Sequence, residues 1–145
     1  MGSYFKRIRK KGYLMVGYSL LKALGCRNAI VLERLHTEFQ HAIREELLYK
    51  WKFGVSLPHL ALSIGFTIED VVNAINELTA LGLIGVEQLR ADLYSIEIHE
   101  EEIYNFEKTK EVEKHYKMYD YQLYTMQEYG YYLMQNADEE IPFEE

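Results

Sequence analysis

Cysteine is almost missing from this chain: Cys26 is the only one in 145 residues. No intramolecular disulfide can form and no thiolate metal cluster can be built within one chain, so a reducing, intracellular setting is the default. Long apolar runs are missing too. Nothing approaches the roughly eighteen consecutive apolar residues of a transmembrane helix. The basic start, MGSYFKRIRKKG, is not followed by a leucine-rich core and cleavage site, so a secretory signal is not expected. The expected location is the cytoplasm, with no membrane partner. Nucleotide-binding loops, zinc-ligand spacings and a Gly-x-Ser-x-Gly elbow are all absent. Carboxylates are abundant, but they fall on predicted solvent faces, where a charged surface accounts for them without acid-base work. No catalytic residue, cofactor or metal site is therefore expected, and the chain reads as a non-enzyme.

What is present is an ordinary globular composition, 48% hydrophobic and 27% charged, over a length that suits one core-bearing domain. The departure from ordinary is 13 tyrosines, eight of them between Tyr104 and Tyr132. Such a concentration must bury something or bind something. Charge is also unevenly spread. Residues 1–12 hold five basic residues and no acid, residues 13–99 seven basic and ten acidic, and residues 100–145 four basic and thirteen acidic. The organisation predicted is a basic arm (1–12), a nearly neutral domain (13–99), a helical extension (100–137) and an acidic tail (138–145).

Residues 56–98 organise the rest. Ser56 can cap a helix over 57–64, with Pro58 in the first turn where its missing N–H costs nothing. Gly65 ends it. Thr67 is the next N-cap, and Asp70 three residues on makes a partial capping box and suits the positive end of the helix. Ile68, Val71, Val72, Ile75, Leu78 and Leu81 recur at steps of three and four along that second helix, and Gly82 closes it. Two strands, 83–88 and 93–98, follow across a turn at 89–92. Leu60, Val72, Ile75, Leu78 and Ile84 are expected to share one buried centre.

The stretch LPHLALSIGFTIEDVVNAINELTALGLI resembles a winged-helix pattern in which an apolar helix carrying Leu-Ala turns into a valine-rich helix running into Gly-Leu-Ile. Upstream, LGCRNAIVLERLH followed by YKWKFGVS resembles the lead-in of phage and plasmid replication-initiator (replisome-organiser) domains. The likeness covers residues 13–98. It implies a mainly α fold with a small β-wing: a winged helix-turn-helix, here followed by a long C-terminal helix. It also implies a DNA-binding protein of phage or mobile-element type, acting in replication initiation or transcription control inside an infected bacterium.

Before that unit, residues 13–24 are expected to form a short helix or extended lead-in, broken by Gly25. A helix from about residue 27 buries Val31, Leu32, Leu35, Phe39 and Ala42. His36 and His41 lie on it, but positions five apart stand about 140° apart around a helix, so they do not converge on a metal. His59 is expected to be a partly buried neutral side chain. KWKFGV at 50–55 alternates basic and aromatic residues and is predicted to be a strand, with Trp51 and Phe53 on the core face and Lys50 and Lys52 in solvent. Basic-aromatic alternation also occurs in binders of single-stranded nucleic acid.

A DNA-reading helix should present basic or amide side chains to the major groove. The outward residues of the second helix are Glu69, Asp70, Asn73, Asn76, Glu77 and Thr79, and no arginine or lysine occurs between residues 67 and 81. The candidate DNA contacts are therefore Thr67, Asn73 and Asn76, Arg90 in the wing, and the arm residues Lys6, Arg7, Arg9, Lys10 and Lys11. The arm reads equally as a phosphate-contacting extension or as a solvated terminus. Carboxylates at the tip of the second helix support a different class of function: a protein-interaction module binding or inhibiting a basic host protein that processes nucleic acid.

In the extension, Val112, Tyr116, Tyr119, Leu123, Met126, Gly130, Leu133 and Ala137 form a heptad-like seam. Such a seam wants a partner helix, either within the chain or in a homodimer. Tyr116, Tyr119, Leu123, Met126 and Leu133 are its candidate interface residues.

Overall fold

A computed structural model describes residues 2–136, with side chains at 4–109 and 123–136. The side chains of Tyr116 and Tyr119 and the acidic tail at 138–145 lie outside the described residues. The chain divides into two units, Met1–Lys108 and Thr109–Glu145.

In the first unit, α1 (Gly2–Arg9) and α2 (Tyr18–Leu24) lead into α3 (Cys26–Arg44), the central core helix. Its periodic residues Val31, Leu32, Leu35, Phe39 and Ala42 are all buried, as the spacing requires. Strand β1 (Lys52–Ser56) follows, then α4 (Leu57–Ile64), α5 (Ile68–Ala80), β2 (Ile84–Gln88) and β3 (Leu93–Ile98). Helix α6 (Glu100–Gln135) begins in this unit, and its Ile103 and Phe106 pack against the core. The mainly α architecture with a small antiparallel sheet is as expected.

The sheet has the order β1-β3-β2, with Phe53 opposite Ile96 and Val86 opposite Ile96 on the other side. Because side chains alternate, this register puts Phe53, Val55, Ile84 and Ile96 on the core face and Lys52, Gly54, Ser95 and Glu97 on the other. Phe39 of α3 meets Phe53 of β1 with ring centroids 5.8 Å apart. Leu60, Ile75, Leu78 and Ile84 fall in a single buried cluster, with Val72 half-buried against it.

Capping chemistry sets both ends of the helix pair. The Ser56 hydroxyl accepts from His59 N–H at 3.4 Å and the Thr67 hydroxyl from Asp70 N–H at 3.1 Å. Gly65 ends α4 at φ 73°, a conformation that costs a residue without a Cβ nothing. At the two ends of α5 the periodicity overstates burial: Ile68 and Leu81 are about half exposed.

Two expectations are corrected. The strand predicted at 50–55 starts only at Lys52, because Tyr49 to Lys52 is a tight turn closed by Tyr49 N–H to Lys52 O (2.9 Å) and Lys52 N–H to Tyr49 O (3.0 Å). Lys50 and Trp51 sit at its centre with φ 50° and 66°. Trp51 is thus lifted out of the period-two pattern and is 70% exposed, leaving Phe53 alone to close the core. His59 is exposed rather than partly buried, since its position in the first turn of α4 faces away from Leu57, Leu60 and Ala61.

Candidate nucleic-acid interface

Helices α4 and α5 are joined by the three residues 65–67, and the β2–β3 hairpin follows directly. Helix α5 buries Val71, Ala74, Ile75 and Leu78. A helix that buries this face must present the opposite one, and Glu69, Asn73, Asn76 and Glu77 are exposed there, with Asp70 half-buried. Thr79 is also exposed, but its hydroxyl is turned back to the Ile75 carbonyl at 2.7 Å. Thr67 is exposed and engaged as the cap.

The hairpin tip is fixed to the same helix pair. Leu57 N–H, at the start of α4, donates to the Asp92 carbonyl at 3.1 Å. Arg90 is exposed, and its Nε lies 3.0 Å from Asp92 Oδ1, so its charge is shared with a carboxylate two residues away.

The basic arm forms α1 and the turn after it. Lys6, Arg7, Arg9, Lys10 and Lys11 are all exposed, as are Tyr4, Phe5 and Ile8, and the Arg7 guanidinium lies over the Tyr4 ring at 5.9 Å. On a helix of 100° per residue, Tyr4, Ile8 and Phe5 span one arc and the cations the rest.

The spacing of residues gave no hint of what meets Glu77. Arg27 and Asn28, in the first turn of α3, reach across to it: Arg27 Nη2 lies 2.6 Å from Glu77 Oε2, and Asn28 Nδ2 donates to the same oxygen at 2.5 Å. Arg27 Nε in turn donates to Asn28 Oδ1 at 3.1 Å. The Asn28 amide, then the Arg27 guanidinium, hold the Glu77 carboxyl below its ordinary pKa. Glu77 is therefore a paired charge, not a free one. No signal in sequence finds this triad, because its members stand some fifty positions apart.

A separate groove is lined by Leu20, Leu32, Ile98 and Ile103, with Glu33, His36, Glu100 and Glu107 at its edge. Burial pushes the Glu33 carboxyl up and Glu107 adds to this, while His36 opposes it. Among the described residues no three His, Cys, Asp or Glu side chains are grouped so as to hold a metal ion. His36 and Glu100 approach to 3.8 Å, and His41 is exposed elsewhere on α3.

In the second unit, Leu123, Tyr124, Met126, Tyr129, Tyr131, Tyr132 and Met134 are exposed and Leu133 is half-buried. Among the described residues no helix is long and apolar enough to cross a membrane. No family model, curated protein or solved structure matches the chain.

Proposed function

We propose that this chain is a winged-helix protein that docks on duplex DNA, as a phage or mobile-element factor in replication initiation or transcription control. In this reading α4 and α5 are the helix-turn-helix, α5 enters the major groove, and the β2–β3 turn with Arg90 is the wing. The observation that carries it is the exposed ridge of α5. With Glu77 paired to Arg27, the polar side chains left on it are Asn73, Asn76, Glu69 and the half-buried Asp70, and asparagine amides match adenine edges in the major groove. Lys6, Arg7, Arg9, Lys10 and Lys11 supply phosphate attraction. A mobility-shift assay at low salt tests it: a complex with duplex DNA that weakens steeply as salt rises is expected. Absence of any complex at low salt sinks the reading.

A second reading, a protein-interaction module for a basic host protein, is favoured by Glu69 and Asp70 at the α5 tip and by Leu62 of α4, 82% exposed. Changing Glu69 and Asp70 to lysine separates the two. DNA binding should tighten several-fold under the first reading and stay at its low level under the second. In either, the uncovered Leu123 and Met126 fit a second copy of this chain, so a homodimer is expected in sedimentation.

A further inference from the structure

Helix α5 has no cation of its own, yet one stands beside it. We propose that Arg27 of α3 is a DNA-phosphate ligand preset alongside α5, an inference that rests on the duplex-docking reading above. Three observations converge on it.

The first is orientation. The Arg27 guanidinium is held at two of its nitrogens, Nε by Asn28 Oδ1 at 3.1 Å and Nη2 by Glu77 Oε2 at 2.6 Å. A guanidinium offers five N–H donors in a rigid fork, so two such bonds fix its plane and leave the Nη1 hydrogens for a third party. Asn28 is itself only 7% exposed and is the one buried polar residue among those described. Its amide is satisfied on both sides, oxygen by Arg27 and nitrogen by Glu77, so the holder is as fixed as what it holds.

The second is place. Glu77 and Asn73 are four residues apart on α5 and therefore neighbours on one ridge. A guanidinium bonded to Glu77 thus flanks the ridge that carries Asn73 and Asn76. A group beside a groove-lying helix, not projecting from it, meets the sugar-phosphate backbone before the bases.

The third is exposure. The side chains of Arg27 and Glu77 are 36% and 55% exposed. A pair this wet adds little to stability, so the fold alone gives weak reason for it. A guanidinium preset by a carboxylate loses less freedom when it captures a phosphate.

The test is duplex affinity of the full chain across a salt series, with a thermal melt beside each variant. Arg27→Ala is expected to weaken binding about tenfold and to reduce the salt slope by about one. Arg27→Gln removes the charge; its amide, two bonds shorter than the guanidinium tip, can still donate to Asn28 Oδ1 but does not reach Glu77. Because the exposed Arg27–Glu77 pair adds little to stability, this variant should melt close to the parent and lose the same slope. Arg27→Ala combined with Glu77→Gln decides between two roles. If Arg27 only masks Glu77, the double variant regains parental affinity and slope; if Arg27 binds phosphate, the slope stays reduced. A parental slope in Arg27→Gln, or full recovery in the double variant, overturns the proposal and leaves the duplex-docking reading standing. A parent chain that binds no duplex at all removes both.

Discussion

Helix α3 and the C-terminal part of α6 carry similar loads of large apolar side chains, gathered on one face in α3 and spread around the helix in α6, and the two meet opposite fates. Along α3, Val31, Leu32, Leu35 and Phe39 are buried against α5 and the sheet. In residues 123–136, Leu123, Tyr124, Met126, Tyr129, Tyr131, Tyr132 and Met134 are exposed. Periodicity therefore identifies which residues share a face and is silent on whether anything covers it. Covering depends on partners far away in sequence: α3 finds Phe53 in β1 and Leu78 in α5, each recruited by its own local pattern.

The largest expected effect breaks this comparison from the α3 side. Leu35 is fully buried, and Leu35→Ala should cost about 3 kcal/mol from lost transfer energy and the cavity left behind. The matching change in the other region, Leu123→Ala with Met126→Ala, should leave the denaturation of a dilute sample within about 0.5 kcal/mol of the parent. It should instead weaken self-association in sedimentation. Equal losses of stability in both variants would mean that the tyrosine-rich face is covered within the monomer.

The same contrast, local against distant, sorts what was legible in the sequence. The ends of α4 and the start of α5 were readable because Ser56, Gly65 and Thr67 act on backbone groups within three or four positions of themselves. The core faces of α3 and α5 were readable for the same reason. Arg27 and Asn28 were not, since their partner Glu77 is brought to them only when α3 packs on α5. The pairing of Arg90 was not legible either: its place in the wing marks it as a DNA-contact candidate, and nothing in the pattern says that Asp92, two positions on, turns back to it. Trp51 failed differently. Alternation predicted a strand, and the turn that replaces it lacks the asparagine and glycine that normally announce a two-residue hairpin turn.

That turn gives the next effect in size. Lys50 and Trp51 both hold left-handed φ values, which L-residues with a Cβ adopt at a cost of about 1 kcal/mol or more each. Replacing the pair by Asn-Gly should stabilise the first unit by about 1 kcal/mol in urea denaturation. Trp51 shares a shallow depression with Phe39, Ile43 and Ile98. A net loss of stability in the Asn-Gly variant would mean that its indole packing there outweighs the backbone strain. The loop would then belong with α3 in the comparison, as a covered apolar group, and not with the exposed face of α6.

The smallest effect concerns two carboxylates with opposite environments. Glu33, pushed up chiefly by burial, takes a proton more readily in the folded chain than in the unfolded one. Its contribution to stability is therefore complete below the unfolded carboxyl pKa and is lost as pH rises through the raised folded value. Glu77, held down by Asn28 and Arg27, behaves the other way: its contribution is present above the unfolded value and lost as pH falls through the lowered one. The two windows lie on opposite sides of the ordinary glutamate range, so they separate in one titration of stability. Glu33→Gln should gain slightly on the parent near pH 7 and lose that advantage as pH falls towards the ordinary glutamate pKa. Glu77→Gln should show no gain near pH 7 and should flatten the loss of stability at more acid pH. A Glu33→Gln advantage that does not shrink on acidification would trace to packing in the groove between α2, α3 and β3, and would remove burial of charge as its cause.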